Sequence, residues 1–348
     1  MKNNKLVYVV CPDRERPIGG VKQLYRIVDI LNLNGYEAYI AHSKKNFRVT
    51  WFENQTPIRY FPNLFAQLSF HKRKKRKIKI PLSLRQAFIN KRMPEADSII
   101  IFPEIYGPNI NKLVPDSKIV IFNQNCYYSF NNFKALTHEE SAYSHPNTLG
   151  CIVVSKDSLQ YLEYTFPRLN IARIRLGLSK CFQYSEFKKK QIAFMPRKLS
   201  EDSSQLFHIL SNRMNLAGWQ FVAIDKMDEF EVARVLKDSA IFLSFNYREG
   251  FGLPPVEAMA CGCYVIGYTG NGGEEYFNDD FSSAIADGNI VAFAKEIERI
   301  MDIYNNTPDK IIMKGRLASE YVLNTYNTDH ETEDITTAWN QILENNRE

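Results

Sequence analysis

The stretch Phe245-Asn-Tyr-Arg-Glu-Gly-Phe-Gly-Leu-Pro-Pro-Val-Glu-Ala-Met-Ala-Cys-Gly262 changes character twice. It begins where an apolar run, Ile241–Phe245, reads as a buried strand. It continues through a turn containing Gly250 and Gly252, and it ends in a helix-period segment, Pro255–Cys261. Proline suits a first helical turn, because its φ is already helical and its missing N–H would have no partner there. The glycines let backbone N–H groups approach a ligand closely, and a helix start adds partial positive charge, so the turn can receive an anion such as a phosphate. Two carboxylates, Glu249 and Glu257, bracket it with seven residues between them. They would repel a phosphate and must face something else, for which sugar hydroxyls are natural donors.

The strand–turn–helix rhythm extends outward from this stretch. Upstream, Ile192–Met195 and Phe221–Ile224 read as strands, with helices at Ser204–Met214 and Glu229–Asp238; downstream come the strand Tyr264–Gly267 and helices at Val291–Tyr304, Asp309–Tyr326 and Glu331–Leu343. An earlier block repeats the pattern. Lys5–Cys11 is a strand, and after Gly19–Gly20 the residues Val21, Leu24, Tyr25, Val28 and Leu31 recur at helical spacing until Gly35. Tyr36–Ala41, Ser98–Phe102, Lys118–Phe122 and Cys151–Val154 are further strands, apolar enough for parallel sheets covered on both faces. The alternation predicts an α/β protein of two doubly wound, Rossmann-like domains, residues 1–168 and 169–327, with 328–348 crossing back onto the first. Ligands of such folds sit at the carboxyl ends of the strands, so a cleft between the two is expected. Residues 44–97 follow neither period and are given no structure.

The 348 residues exceed one comfortable core, and 45% hydrophobic with 24% charged residues excludes disorder over most of the chain. No run approaches the ~18 apolar residues of a spanning helix, and the first residues lack the pattern of a signal peptide, so a cytoplasmic location is expected. Six cysteines stand in no C-x-x-C pair, which argues against structural zinc or a disulfide scaffold. The net charge of +5 includes seven cations within Lys72–Lys79, leaving 5 − 7 = −2 for the remainder. A nearly neutral body with one basic run is not a general nucleic-acid binder. The run is either a solvated loop or a contact with the anionic inner face of a membrane; nucleic-acid binding through it is the non-enzymatic alternative.

The E-x7-E spacing around Gly-Phe-Gly-Leu-Pro-Pro, followed by Glu-Ala-Met-Ala-Cys-Gly, resembles the donor loop of glycosyltransferase family 4 (group 1), retaining enzymes of the GT-B fold. The resemblance implies that Glu249 binds the transferred sugar and Glu257 the ribose, with Gly250, Phe251, Gly252 and Leu253 lining sugar and phosphate. Ile192–Lys198 (IAFMPRK) is similar to the strand-end segment whose cations grip the diphosphate, which assigns Arg197 and Lys198 to the leaving group. Gly19 and Gly20 resemble the turn that faces donor phosphate and acceptor. Met227, in Asp225–Met227, falls where main-chain atoms hold the base. Ser155 and Arg175–Phe182 resemble the passage between domains, and Gly272–Glu275 and Asp287–Asn289 the loops downstream. The implied activity is transfer of a sugar from a nucleotide donor, UDP-linked by preference, to a carbohydrate or lipid-linked acceptor in polysaccharide or glycoconjugate synthesis. A sugar-nucleotide epimerase of the same fold is the enzymatic alternative.

One departure concerns the acceptor. Many relatives carry a histidine in the first domain near the reacting carbon, whereas the comparable strand end here, Phe122–Cys126, offers Asn123, Gln124 and Asn125. His138 and His145 lie farther on, and none of the three amides is a good general base. No Asp-x-Asp and no clustered Cys/His set occurs, so neither metal nor cofactor is expected. Preorganised cations and a helix N-terminus can stabilise a leaving diphosphate without one.

Overall fold

The computed structural model describes residues 5–72, 93–107, 110–130, 141–197, 199–213, 216 and 218–345, without the side chains of 69–72. Lys198, His138 and the basic run beyond Lys72 therefore lie outside the described residues. The chain divides into two compact units: residues 1–154, 158–174 and 332–348 form unit 1, and 155–157 with 175–331 form unit 2.

Unit 1 is built on seven parallel strands: β1 (Leu6–Val10), β2 (Glu37–His42), β3 (Ile58–Tyr60), β4 (Ile99–Pro103), β5 (Lys118–Asn123), β6 (Thr148–Val153) and β7 (Ile171–Arg173), in the order β3-β2-β1-β4-β5-β6-β7. All five residues of β4 are buried, as expected of a strand covered on both faces. Helix α1 (Gly19–Leu33) buries Val21, Leu24, Tyr25, Val28 and Leu31, the face its spacing predicts. Gly35, at φ +79°, takes the left-handed conformation that closes such helices. Within the segment given no structure, β3 pairs with β2 and helix α2 (Pro62–Lys72) buries Leu64, Phe65 and Leu68. A three-residue edge strand is too short to show a period. Helix α3 (Lys156–Thr165) follows β6, and β7 adds to its edge, which carries unit 1 past residue 168.

Unit 2 holds β8 (Lys189–Phe194), β9 (Gln220–Ala223), β10 (Ser239–Glu249), β11 (Tyr264–Asn271) and β12 (Ser282–Ala284), all parallel, in the order β12-β11-β10-β8-β9. Its helices are α4 (Ser200–Arg213), α5 (Glu229–Asp238), α6 (Leu253–Ala260), α7 (Ile290–Asn306) and α8 (Pro308–Thr325). Phe245, Tyr268 and Phe293 pack ring against ring in its core. Each such buried side chain contributes roughly 1.5–3 kcal/mol. Lys188 donates to Leu236 O (3.1 Å) and Cys261 O (2.6 Å), satisfying carbonyls at the ends of α5 and α6. The final helix, α9 (Thr328–Glu344), belongs to unit 1 from Thr332, where Trp339 is buried edge-on to Tyr36.

The six cysteines are free, and burial raises the thiols of Cys11, Cys151, Cys261 and Cys263. Among the described residues no helix is long and apolar enough to cross a membrane, and no group of three His, Cys, Asp or Glu side chains could hold a metal.

Candidate active site

In sheet 2 the strand order reverses between β8 and β10, and open α/β sheets bind ligands beyond the carboxyl ends of their strands at such a point. Strand β8 stops at Phe194, opposite Leu243, whereas β10 runs on to Glu249 with β11 beside it. The register shifts between Asn246 and Glu249, and Arg248 sits at φ +48°, a conformation that costs a side-chain-bearing residue energy. The strand end is thus bent rather than frayed.

Glu249 emerges half-buried from this bend, and Gly252, at φ +85°, caps α6 in the left-handed conformation. A Cβ at Gly252 would strike the Asn246 amide and come within 2.9 Å of the Tyr276 hydroxyl. Helix α6 begins at Leu253, earlier than the sequence reading, because Pro254 and Pro255 occupy its first turn and need no N–H partners there. Two first-turn donors are therefore missing. The amides available to an anion are those of Gly250–Leu253, backed by the helix start, and Glu257 stands half-buried one turn farther along.

Main-chain contact fixes the loop. A Cβ at Gly272 would collide with the carbonyls of Glu249 and Gly250, and one at Gly273 with Thr269 O. The Tyr276 hydroxyl lies 3.0 Å from Phe251 O and 2.9 Å from Gly252 O, positioned to donate to the turn. Burial pushes this phenol well above its ordinary pKa, which keeps it a donor. The ring of Phe251 packs against Tyr276 and Tyr326 and is buried, so only the main chain of this residue is left to face a ligand. Glu275 accepts from Tyr326 OH (3.1 Å) and from Lys156 N (2.7 Å). Tyr276 and Tyr326 escaped the sequence reading because nothing local distinguishes them from core aromatics.

The other predicted residues of unit 2 lie at the same carboxyl edge. Arg197 is exposed in the turn after β8, and Met227 is half-buried just before α5. That helix opens with a capping box in which Asp228 accepts from Glu231 N (2.8 Å) and Glu231 accepts from Asp228 N (2.9 Å).

In unit 1, Gly19 and Gly20 open α1, which has no side-chain cap and no acid in its first turn. A Cβ at Gly20 would stand 2.8 Å from Gln124 Oε1, and Gln124 N donates to the buried Glu104 carboxylate (2.9 Å). Asn123 donates to Ser129 Oγ (2.7 Å) and Tyr143 OH (2.9 Å), while Asn125 accepts from Tyr127 N (3.0 Å). Two of the three amides are thus engaged in local structure, and Gln124 is the one whose side chain borders the glycine turn. His145 accepts from Asn147 N (3.2 Å) within a turn.

Residues 205–318 match the family described as glycosyl transferases group 1. An alpha-1,6-glucosyltransferase of Actinobacillus pleuropneumoniae serotype 7 is 28% identical over 224 residues, 61% of this chain and 66% of that relative. Sucrose-phosphate synthase from Thermosynechococcus elongatus has a TM-score of 0.63 at 12% identity, over 98% of this chain and all of that one. The fold is GT-B. An Anabaena HepE structure in complex with UDP and glucose is similar at TM-score 0.62 and 13% identity, over 98% of this chain and 99% of that chain. Identities this low carry the architecture alone. The family match runs from α4 into α8 and includes Glu249, Glu257 and the glycine turn, so it supports a glycosyltransferase of group 1.

Proposed function

We propose that the chain is a retaining hexosyltransferase that moves a sugar from a UDP-linked donor to a carbohydrate or lipid-linked acceptor without a metal ion. The observation that carries the reading is the bent end of β10, which gathers Glu249, the left-handed Gly252 turn and Glu257 at the switch point, with Arg197 on the neighbouring strand end. Glu249 orients the sugar hydroxyls and Glu257 holds the ribose. The amides of Gly250–Leu253, together with Arg197 and Lys198, stabilise charge on the departing diphosphate, which takes the acceptor proton on the face it leaves. Gly19 and Gly20, at the start of α1, bind donor phosphate and acceptor in this reading, and the main chain at Met227 holds the base. The run Lys72–Lys79 extends the proposal to peripheral attachment at an anionic membrane surface.

Incubation with UDP-α-glucose and an oligosaccharide pool, followed by NMR of the anomeric proton, tests the reading. An α-linked product supports it. A β-linked product overturns retention, and an epimerised nucleotide sugar formed without acceptor favours the epimerase.

A further inference from the structure

The carboxyl edge of sheet 1 carries charge that the donor chemistry does not use. The loop after β1 holds Arg14 and Arg16, α1 contributes Lys22, and the loop after β2 contributes Lys44, Lys45 and Arg48. These segments are folded onto one another. Asp13 accepts from Ser43 N (3.1 Å) and Lys44 N (3.0 Å) and meets His42 Nδ1 at 2.9 Å, while Trp51 Nε1 donates to Arg14 O (3.3 Å). The two loops carry three carboxylates beside these cations. Asp13 is consumed by the contacts just named, Glu15 lies 3.8 Å from Lys44, and Glu53 is exposed. Among the cations stand partly exposed aromatic rings. Trp51 packs against Phe52 with centroids 4.7 Å apart, and Lys22 Nζ lies 5.9 Å from the Phe52 ring.

Cations neutralise phosphate, and flat rings offer an apolar face to a sugar. From this juxtaposition we infer that the β1–α1 and β2–β3 loops form an acceptor subsite for a phosphate-bearing saccharide. The phosphate belongs either to a soluble phosphorylated glycan or to the diphosphate that links a sugar to a lipid. The word acceptor rests on the transferase reading, but recognition of phosphate does not. The cations proposed for the leaving diphosphate, Arg197 and Lys198, belong to unit 2, so replacing Arg14, Arg16 and Lys45 leaves them in place.

The test is binding by the full chain at low and high salt. Four probes are used: a phosphorylated oligosaccharide, its phosphatase-treated counterpart, and zwitterionic vesicles with or without a polyprenyl-diphosphate-linked sugar. UDP is titrated in parallel. At low salt the wild type should prefer a phosphate-bearing probe over its counterpart by about tenfold or more, with the preference shrinking as salt rises. Preference for the oligosaccharide names the soluble source, and preference for the loaded vesicle names the lipid source. Arg14→Glu/Arg16→Glu/Lys45→Glu should abolish the preference and leave UDP affinity unchanged, and the matching Gln variant should reduce it partway. Preference for neither phosphate-bearing probe overturns the inference, and so does an equal loss of UDP binding in the charge-reversed variant. A chain that prefers the phosphorylated probe yet binds no UDP keeps the anion subsite and loses the transferase reading.

Discussion

At the edge of sheet 2, Gly272 and Gly273 bring main chain against main chain beneath the turn that carries Glu249 and the left-handed Gly252. At the edge of sheet 1, the corresponding space is organised by side chains: Asp13 joins His42 to two backbone amides, and Gln124 rests on Gly20 beside Glu104. Both edges surround a switch point of a parallel sheet. A surface built from main chain leaves little room for substitution and suits a ligand common to many enzymes, such as a nucleotide. A surface built from long side chains can be recomposed loop by loop, which suits a variable acceptor.

The sharpest break of this comparison is at Glu249. Glu249→Ala should lower turnover by a hundredfold or more, on the order of 10²–10³ as for loss of one transition-state contact, while UDP affinity stays near wild type. Glu257→Ala should do the reverse and weaken UDP by about tenfold to a hundredfold, the worth of one charged hydrogen bond. If the two variants behaved alike, the division of labour between the glutamates would be wrong. Arg197→Ala should cost about a hundredfold in turnover with activity still unaffected by EDTA. Activity lost to chelator and restored by manganese would replace the cation with a metal.

Much of this was legible in the sequence because it rests on local chemistry. The strands of both sheets announce themselves as short apolar runs, and Gly250-Phe-Gly252 followed by two prolines announces a turn into a helix. What escaped depends on contacts distant along the chain. Tyr276 reaches back to Phe251 O and Gly252 O, and β3 exists only because β2 lies beside it. Phe251 was read as lining the ligand, yet its ring is buried against Tyr326, seventy-five positions later. Periodicity has no means of showing that a residue in a glycine turn faces inward.

Gly272→Ala tests whether main-chain contact holds the donor turn. The new Cβ would collide with the carbonyls of Glu249 and Gly250, and backbone gives way less readily than a side chain. The expected loss is about 1–3 kcal/mol of stability, with UDP affinity falling too. Gly288→Ala is the control. Its φ of +74° imposes a backbone penalty that Gly272 does not carry, but no atom lies within 4 Å of the added Cβ. Equal effects on UDP binding would mean that the loss at Gly272 does not come from its close approach to the Glu249 and Gly250 carbonyls.

Asp13 gives the smallest effect and tests the side-chain edge. Burial acts to raise its carboxyl, but the His42 contact and the amides of Ser43 and Lys44 outweigh it and hold the carboxyl below its ordinary value. An unfolded aspartate titrates near ~3.9. The folded state therefore favours the ionised form, and this stabilisation is complete above the unfolded value. It is lost as pH falls from there through the lower folded value. Asp13→Asn keeps the shape and removes the charge, so it should cost about 1–2 kcal/mol at pH 7. Urea unfolding across pH 3–7 should show the gap between variant and wild type narrowing as pH falls below about 4, because the unfolded aspartate takes up its proton there while the folded one is still ionised. A gap that stays constant with pH would mean that the edge is held by packing rather than by the ionised carboxylate. No gap at any pH would leave Asp13 without a share in holding the β1–α1 and β2–β3 loops together.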